Sequence, residues 1–306
     1  MNITSPHCAS NAPWLKAALH LHTTSSDGKQ PPQDTLDDYA RLGFDVVAFT
    51  DHNAILNEHA IAPRADVLAI PGCEYRGTGT HPEIGVIGVR APLPRDIELP
   101  EAVAAAAATG AFVAYNHPNW HFDHWPAKQM MACPGGHALE IYNAIIELLP
   151  GTADSTDKWD ILLTCGHRIW GIATDDAHEA SHRNHAWTMV QAERTEAAVI
   201  AALKAGRFYA SSGVTLGSVS LDGGVLRVSS PDATQIRFIA DRGAVRSTVA
   251  GSEAGYVIRE DDIFVRAELI GHAGARAWTN PVFVETERSR ELSANFAAWY
   301  AQQPLT

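Results

Sequence analysis

No run of the 306 residues approaches the ~20 apolar side chains that a membrane-spanning helix needs. Met1 to Trp14 have neither the basic nor the apolar stretch of a signal peptide. Cysteine is scarce. Cys8, Cys73, Cys133 and Cys165 lie far apart and none forms a Cys-x-x-Cys pair, which speaks against a disulfide framework and a zinc ribbon. A reducing cytoplasm is the expected location. Basic residues are also few. Lys and Arg number 23 against 35 Asp and Glu, a formal charge of −12, and they form no run. Such a chain has no electrostatic footprint for nucleic acid or an anionic membrane. There is no Gly-x-Ser-x-Gly elbow to anchor a serine hydrolase.

Against these absences stand 46% hydrophobic and 19% charged residues, ordinary values for a chain that buries a core. Histidine is the unusual residue, with 15 copies; it titrates near neutrality and is the commonest metal ligand. The first 13 residues are polar and read as loose. From residue 15 on, short apolar runs alternate with helical stretches. The strand-like runs are 17–21, 46–50, 67–70, 84–89, 112–115, 139–142 and 170–174. Helical stretches lie at 35–42, 101–109 and 153–166. This alternation predicts parallel strands joined by crossovers, an α/β fold. Near residue 213 the texture changes to short alternating strands with Gly and Asp turns, including Asp222-Gly223-Gly224. A closing helix is expected over 289–300.

The apolar runs end in one kind of residue. The first ends in His20-Leu21-His22, with Asp27 five positions on. Asp51-His52, Glu74, Asn116-His117-Pro118, Asn143, and Asp175-Asp176 with His178 follow at or near later run ends, and His81 precedes the run 84–89. Side chains at the C-terminal ends of barrel strands converge although far apart in sequence. Strand alternation puts His20 and His22 on one side. Imidazole and carboxylate suit zinc, iron and manganese. Six histidines and three carboxylates exceed what one tetrahedral ion takes, and suffice for two or three sharing bridges. Such clusters generate hydroxide at neutral pH and clamp both oxygens of a phosphoryl transfer. Asp51 and Asp175, beside these residues, read as groups that orient ligands.

Taken in order, His20-Leu-His22, Ser26-Asp27-Gly28, Thr50-Asp51-His52-Asn53, Gly72-Cys-Glu74, His117-Pro118 and Asp176-Ala-His178 resemble the PHP (polymerase and histidinol phosphatase) superfamily. The resemblance implies a distorted (β/α)7 barrel over 14–213. It also implies two or three divalent ions (Mn, Fe or Zn), held by His20, His22, Asp27, His52, Glu74, His81, His117, Asp176 and His178. Glu140-Ile-Tyr-Asn143, Phe208-Tyr-Ala-Ser-Ser212 and Ala277-Trp-Thr-Asn-Pro281 resemble a branch that includes carbamate-pesticide hydrolase-like proteins. A small antiparallel, β-sandwich-like domain over 214–287 and a helix and tail over 288–306 complete the expected organisation.

The implied function is metal-dependent hydrolysis of a small phosphate mono- or diester. Carboxyl- or carbamate-ester hydrolysis at the same cluster is the alternative. The expected partner is a small-molecule substrate, not a nucleic acid polymer or a membrane. Four further residues are candidates for catalysis. Arg76 could clamp a phosphate or be a solvated arginine. His121 and His124, in an aromatic loop with Trp120, could wall the substrate or simply pack. Asn143 could position substrate or cap a turn.

Overall fold

The structure, a computed structural model, describes residues 1–7, 11–77 and 82–304. Ten strands make up the first two thirds: β1 (Asn2–Thr4), β2 (Trp14–Ala18), β3 (Val46–Phe49), β4 (Leu68–Tyr75), β5 (Ile84–Ile87), β6 (Phe112–Tyr115), β7 (Ala138–Asn143), β8 (Trp170–Thr174), β9 (Trp187–Gln191) and β10 (Phe208–Ser211). Helices α1 (Pro32–Arg41), α2 (Leu99–Ala108), α3 (Ala127–Ala132), α4 (Thr156–Thr164) and α5 (Glu196–Lys204) connect them. The fold is mixed α/β. Strands β2–β3–β4 and β6–β7–β8 pair in parallel. The expectation of parallel strands throughout does not hold. β5 runs antiparallel to both β4 and β6, and β9 antiparallel to β2. The link from β4 to β5 is too short for a crossover, so a reversed strand is the available geometry.

Burial explains why these runs become strands. β3, β5 and β6 are buried at every residue, as expected where both faces are covered. The alanines of α2 let it pack closely, with Ala102, Val103 and Ala106 against the sheet. Gly110 follows with φ +82°, the left-handed conformation that ends a helix.

No backbone ladder joins β8 to β9 or β10 among the described residues; side chains tie it to both. Thr188 Oγ1 accepts from the Ala173 amide at 3.3 Å and donates to its carbonyl at 3.0 Å. Asn280 Oδ1 accepts from the Gly171 amide at 3.0 Å. Its Nδ2 donates to the carbonyls of Gly206 and Phe208, each at 3.1 Å. Asn280 is buried, so Asn280→Ala would strand the Gly171 amide and the Phe208 carbonyl in the core, while the Gly206 carbonyl keeps the Phe208 amide. Each such group costs roughly 1–3 kcal/mol. A loss of about 3 kcal/mol, read as a lowered urea midpoint, is the expected result.

The C-terminal strands are β11 (Ser218–Asp222), β12 (Val225–Ser229), β13 (Gln235–Ala240), β14 (Ala244–Ala250), β15 (Glu253–Val257), β16 (Phe264–Ile270), β17 (Arg276–Thr279) and β18 (Val282–Glu285), followed by α6 (Glu287–Ala301). All their ladders are antiparallel. β10 pairs with β17, so the ladder runs unbroken from the first part of the chain into this one. The Arg266 guanidinium on β16 makes two 2.8 Å bonds to Asp160 on α4, both residues buried. The N-terminal stretch read as loose is a strand in part: Asn2, Ile3 and Thr4 face Glu285, Val284 and Phe283.

Candidate metal centre

The predicted residues converge where β2, β3, β4, β6 and β8 hand over to their loops. β2 stops at Ala18, so His20 and His22 lie beyond the strand rather than on it. The segment is nevertheless fixed from both sides. The Asp176 amide donates to the His20 carbonyl at 3.1 Å, and the His22 amide donates to Ala177 at 2.9 Å. Leu21 is tied to Thr50 through backbone and hydroxyl. β4 runs further than its apolar run suggests, so Glu74 is a strand residue.

Glu74 is the centre of the cluster. Its carboxylate lies 3.2 Å from His20 Nε2, 3.3 Å from His22 Nε2, 3.1 Å from His52 Nδ1 and 3.0 Å from His117 Nε2. Asp176 Oδ1 lies 3.3 Å from His20 Nε2 and 3.1 Å from His22 Nε2. Asp27 reaches His22, His52 and His178 at 3.4, 3.5 and 3.4 Å. His20, His22, Glu74, His117 and Asp176 are buried, His52 and His178 half-buried, and Asp27 exposed. The cluster is a funnel with a closed floor and an open rim. Gly28 shapes that rim: a Cβ there would lie 2.4 Å from the His22 carbonyl oxygen, so no larger residue fits the turn that carries Asp27.

Charge is arranged for a cation. Burial opposes protonation of His22, but hydrogen-bonding Asp176 and Glu74 outweigh it and lift its pKa to about 9. His52, likewise disfavoured by burial, is raised to about 10 by Asp27, Glu83 and Glu74. Burial would raise the Glu74 carboxyl, yet His20, His117 and His22 hold it well below the usual range. His178 and His52 do the same for Asp27. Asp27, Glu74, Glu83, Glu140 and Asp176 converge here, and Arg76 is the one arginine or lysine paired with any of them among the described residues.

The donor set fits divalent ions. His20 Nε2 and His22 Nε2 face each other at 3.2 Å, an approach of two ring nitrogens that a shared cation or proton must relieve. His52 Nδ1, His117 Nδ1 and Asp176 Oδ1 are buried and make no well-aligned hydrogen bond, although Glu74 stands 3.1 Å from the first and His22 Nε2 3.1 Å from the last. Ligand atoms of His22, Asp27, His52 and His178 lie within 4.8 Å of one another, as do those of His20, His22 and Glu74, and of His52, Glu74 and Glu83. His117 at φ +31° and Asp176 at φ +52° hold left-handed backbone, which costs a non-glycine residue about 1–3 kcal/mol and recurs at functional sites.

A second ring of residues holds the first. Glu140 accepts from His20 Nδ1 at 2.7 Å, the His117 amide at 2.6 Å, Asn143 Nδ2 at 2.8 Å and Thr174 Oγ1 at 2.6 Å. A carboxylate on the far imidazole nitrogen fixes the tautomer that leaves Nε2 free to ligate. Asn143 also donates to Asp176 at 3.1 Å, and its Oδ1 caps the Ile145 amide; it both touches the cluster and caps a turn. Asn116 donates to Glu74 at 2.8 Å. Asp51 orients the loop before Asp27 rather than His52, accepting from Thr23 and Ser26. Asp175 accepts the amides of Asn184, His185 and Ala186.

Other expectations meet different outcomes. Arg76 is bound to Glu83 and faces Asp123 at 3.6 Å; its guanidinium already balances acids of the site's edge. His121 is exposed and meets Pro150 through its backbone. His124 is half-buried beside Lys158, and burial with that charge lowers its pKa. Neither histidine is within ion-pair distance of the cluster's carboxylates. His81 lies outside the described residues. Glu83 was missed: it sits 3.1 Å from His52 Nδ1 and 3.5 Å from His117 Nε2. An acid at the mouth of an all-apolar strand was its one signal. Glu140, an acid inside the run Leu139 to Ile141, carried the same signal.

No family model and no curated protein matches the chain. Several solved structures resemble it. One is a two-domain protein containing a predicted PHP-like metal-dependent phosphoesterase from Bacteroides vulgatus. It is 17% identical over 93% of this chain and 90% of its own, with a TM-score of 0.53. An amidohydrolase from Chromobacterium violaceum (15% identical, 53% of this chain and 87% of its own) and a putative metal-dependent phosphoesterase from Bifidobacterium adolescentis (13%, 55% and 89%) each reach a TM-score of 0.42. None of the three bears on the carbamate-hydrolase branch. Over nearly its whole length, the chain shares its fold with the predicted PHP-like metal-dependent phosphoesterase of Bacteroides vulgatus.

Proposed function

We propose that this chain is a metal-dependent hydrolase of small phosphate mono- or diesters. The observation that carries the reading is the facing pair His20 Nε2 and His22 Nε2, 3.2 Å apart, with Glu74 and Asp176 within 3.3 Å of both. On this reading β2 to β8 form the distorted (β/α)7 barrel of 14–213, with 214–287 a β domain against it. His20, His22, Asp27, His52, Glu74, His117, Asp176 and His178 would hold two or three ions, and Glu83 joins them. Bound Mn, Fe or Zn supplies Lewis acidity to the ester oxygens and makes water a nucleophile near neutral pH. Glu140 fixes His20, Asn143 orients Asp176, and Arg76 balances Glu83. The buried floor keeps bulk water from competing with the aligned one. The substrate is a small molecule, and the location is the cytoplasm.

Chelation should strip the ions and abolish turnover, and added Mn, Fe or Zn should restore both. Metal content is read by elemental analysis and turnover on parallel panels of phosphate esters, aryl carbamates and carboxyl esters. Unchanged turnover after exhaustive chelation would overturn the metal requirement. Turnover of carbamates or carboxyl esters alone would replace the phosphoesterase reading.

A further inference from the structure

Beside the cluster lies a cavity of about 350 Å³, within the range of small-molecule sites. Two of its walls start at the cluster itself. One is the turn after β7, where Asn143 bonds Asp176 with its amide nitrogen and caps the Ile145 amide with its oxygen; Tyr142, Ile145 and Leu148 line the cavity from there. The other is the loop after His178, whose amide donates to His182 Nδ1 at 3.4 Å; His182 and His185 line it. The third wall comes from the C-terminal part of the chain, the turn ending in Ala275. That turn is set by Ala273 at φ +54° and by the bond from the Gly271 amide to the Ala275 carbonyl at 2.9 Å.

The lining is apolar and aromatic on one side and carries no lysine or arginine. Its one carboxylate, Glu147, accepts from Tyr142 at 3.2 Å. The opposite side carries His182, His185 and His272 but no permanent positive charge. A second phosphate or a carboxylate on the substrate would therefore meet no fixed counter-charge here, and burying it unpaired is costly. A flat ring suits Tyr142, Ile145 and Leu148. The rim continues the apolar character, because Leu148 and Leu149 are exposed.

We infer that this cavity seats the alcohol part of the ester, and that this part is an uncharged group of aromatic ring size. The inference rests on the hydrolase reading only for the ester; the cavity's preference for the alcohol stands apart from it. The C-terminal part of the chain thereby supplies one wall of the substrate site, which gives it a role in specificity.

The probe is 1-naphthol, which carries no phosphate. It should bind the metal-loaded and the chelated protein alike, followed by its fluorescence. Ala275→Trp should fill the cavity, weaken naphthol binding at least tenfold and raise KM for 1-naphthyl phosphate to match. KM for methyl phosphate and the metal content should not move. Leu148→Ala, at an exposed position, should weaken naphthol a few-fold and leaves the fold intact should Ala275→Trp not. Naphthol that fails to bind, or binds both variants as it does the parent, overturns the inference. Naphthol bound in the cavity with no phosphate ester hydrolysed would support the cavity and sink the phosphoesterase reading instead.

Discussion

Glu74→Gln is expected to leave the chain folded and nearly metal-free. The glutamine keeps the shape but not the charge that His20, His22, His52 and His117 all face within 3.3 Å. A neutral amide cannot bridge cations, and its NH₂ would point a donor at imidazoles that already carry protons or metals. Bound metal should fall below about a tenth of the parent level, since even outer residues of such sites are worth 10–100-fold in affinity. Hydrolytic turnover should drop by about 1000-fold, the scale of losing the dominant electrostatic element of a site. Elemental analysis and circular dichroism on one sample separate metal loss from unfolding. Parent-like metal content in this variant would remove Glu74 from the centre.

The second large effect is expected at a residue that need touch no ion. Glu140→Ala removes the acceptor shared by His20, the His117 amide, Asn143 and Thr174, in a place with no exposure at all. Breaking a buried charged contact of this kind costs about 3–5 kcal/mol. The urea midpoint should fall accordingly. Metal affinity should weaken by about 10–100-fold through loss of the orienting contact to His20. Glu140→Gln should recover part of the stability, because its oxygen still accepts, and less of the affinity. A variant with lowered stability but parent-like metal affinity would make Glu140 a structural acid only.

How far the sequence revealed this site depends on the kind of information each residue carries. His20-Leu-His22 and Asp176-Ala-His178 are legible because two ligands on one short segment leave a spacing. His117 is legible because it closely follows an apolar run, and Glu74 because a run leads to it through Pro71-Gly72. Glu83 and Glu140 are not, since what marks them is a partner 31 and 120 positions away in His52 and His20. The fold follows the same rule. Apolar runs locate β3, β6 and β8 well. The direction of β5 is set by a connection length, and the pairing of Asn2–Thr4 with β18 joins segments about 280 residues apart. No local pattern records either.

The edge that β8 presents to β9 and β10 has a consequence for how the centre could lose its ions. Where other strands are held by backbone ladders, this edge is fastened by side chains, Thr188 to β9 and Asn280 to β10, with Asp175 holding the turn that follows. Rare sub-global openings favour such edges. Amides of 171–174 on that edge should therefore exchange with deuterium ahead of those in β3 and β6. The strand they belong to leads straight into Asp176 and His178. Spontaneous release of cations would then begin on that flank, with the opposite side, built on β4 and β6, letting go last.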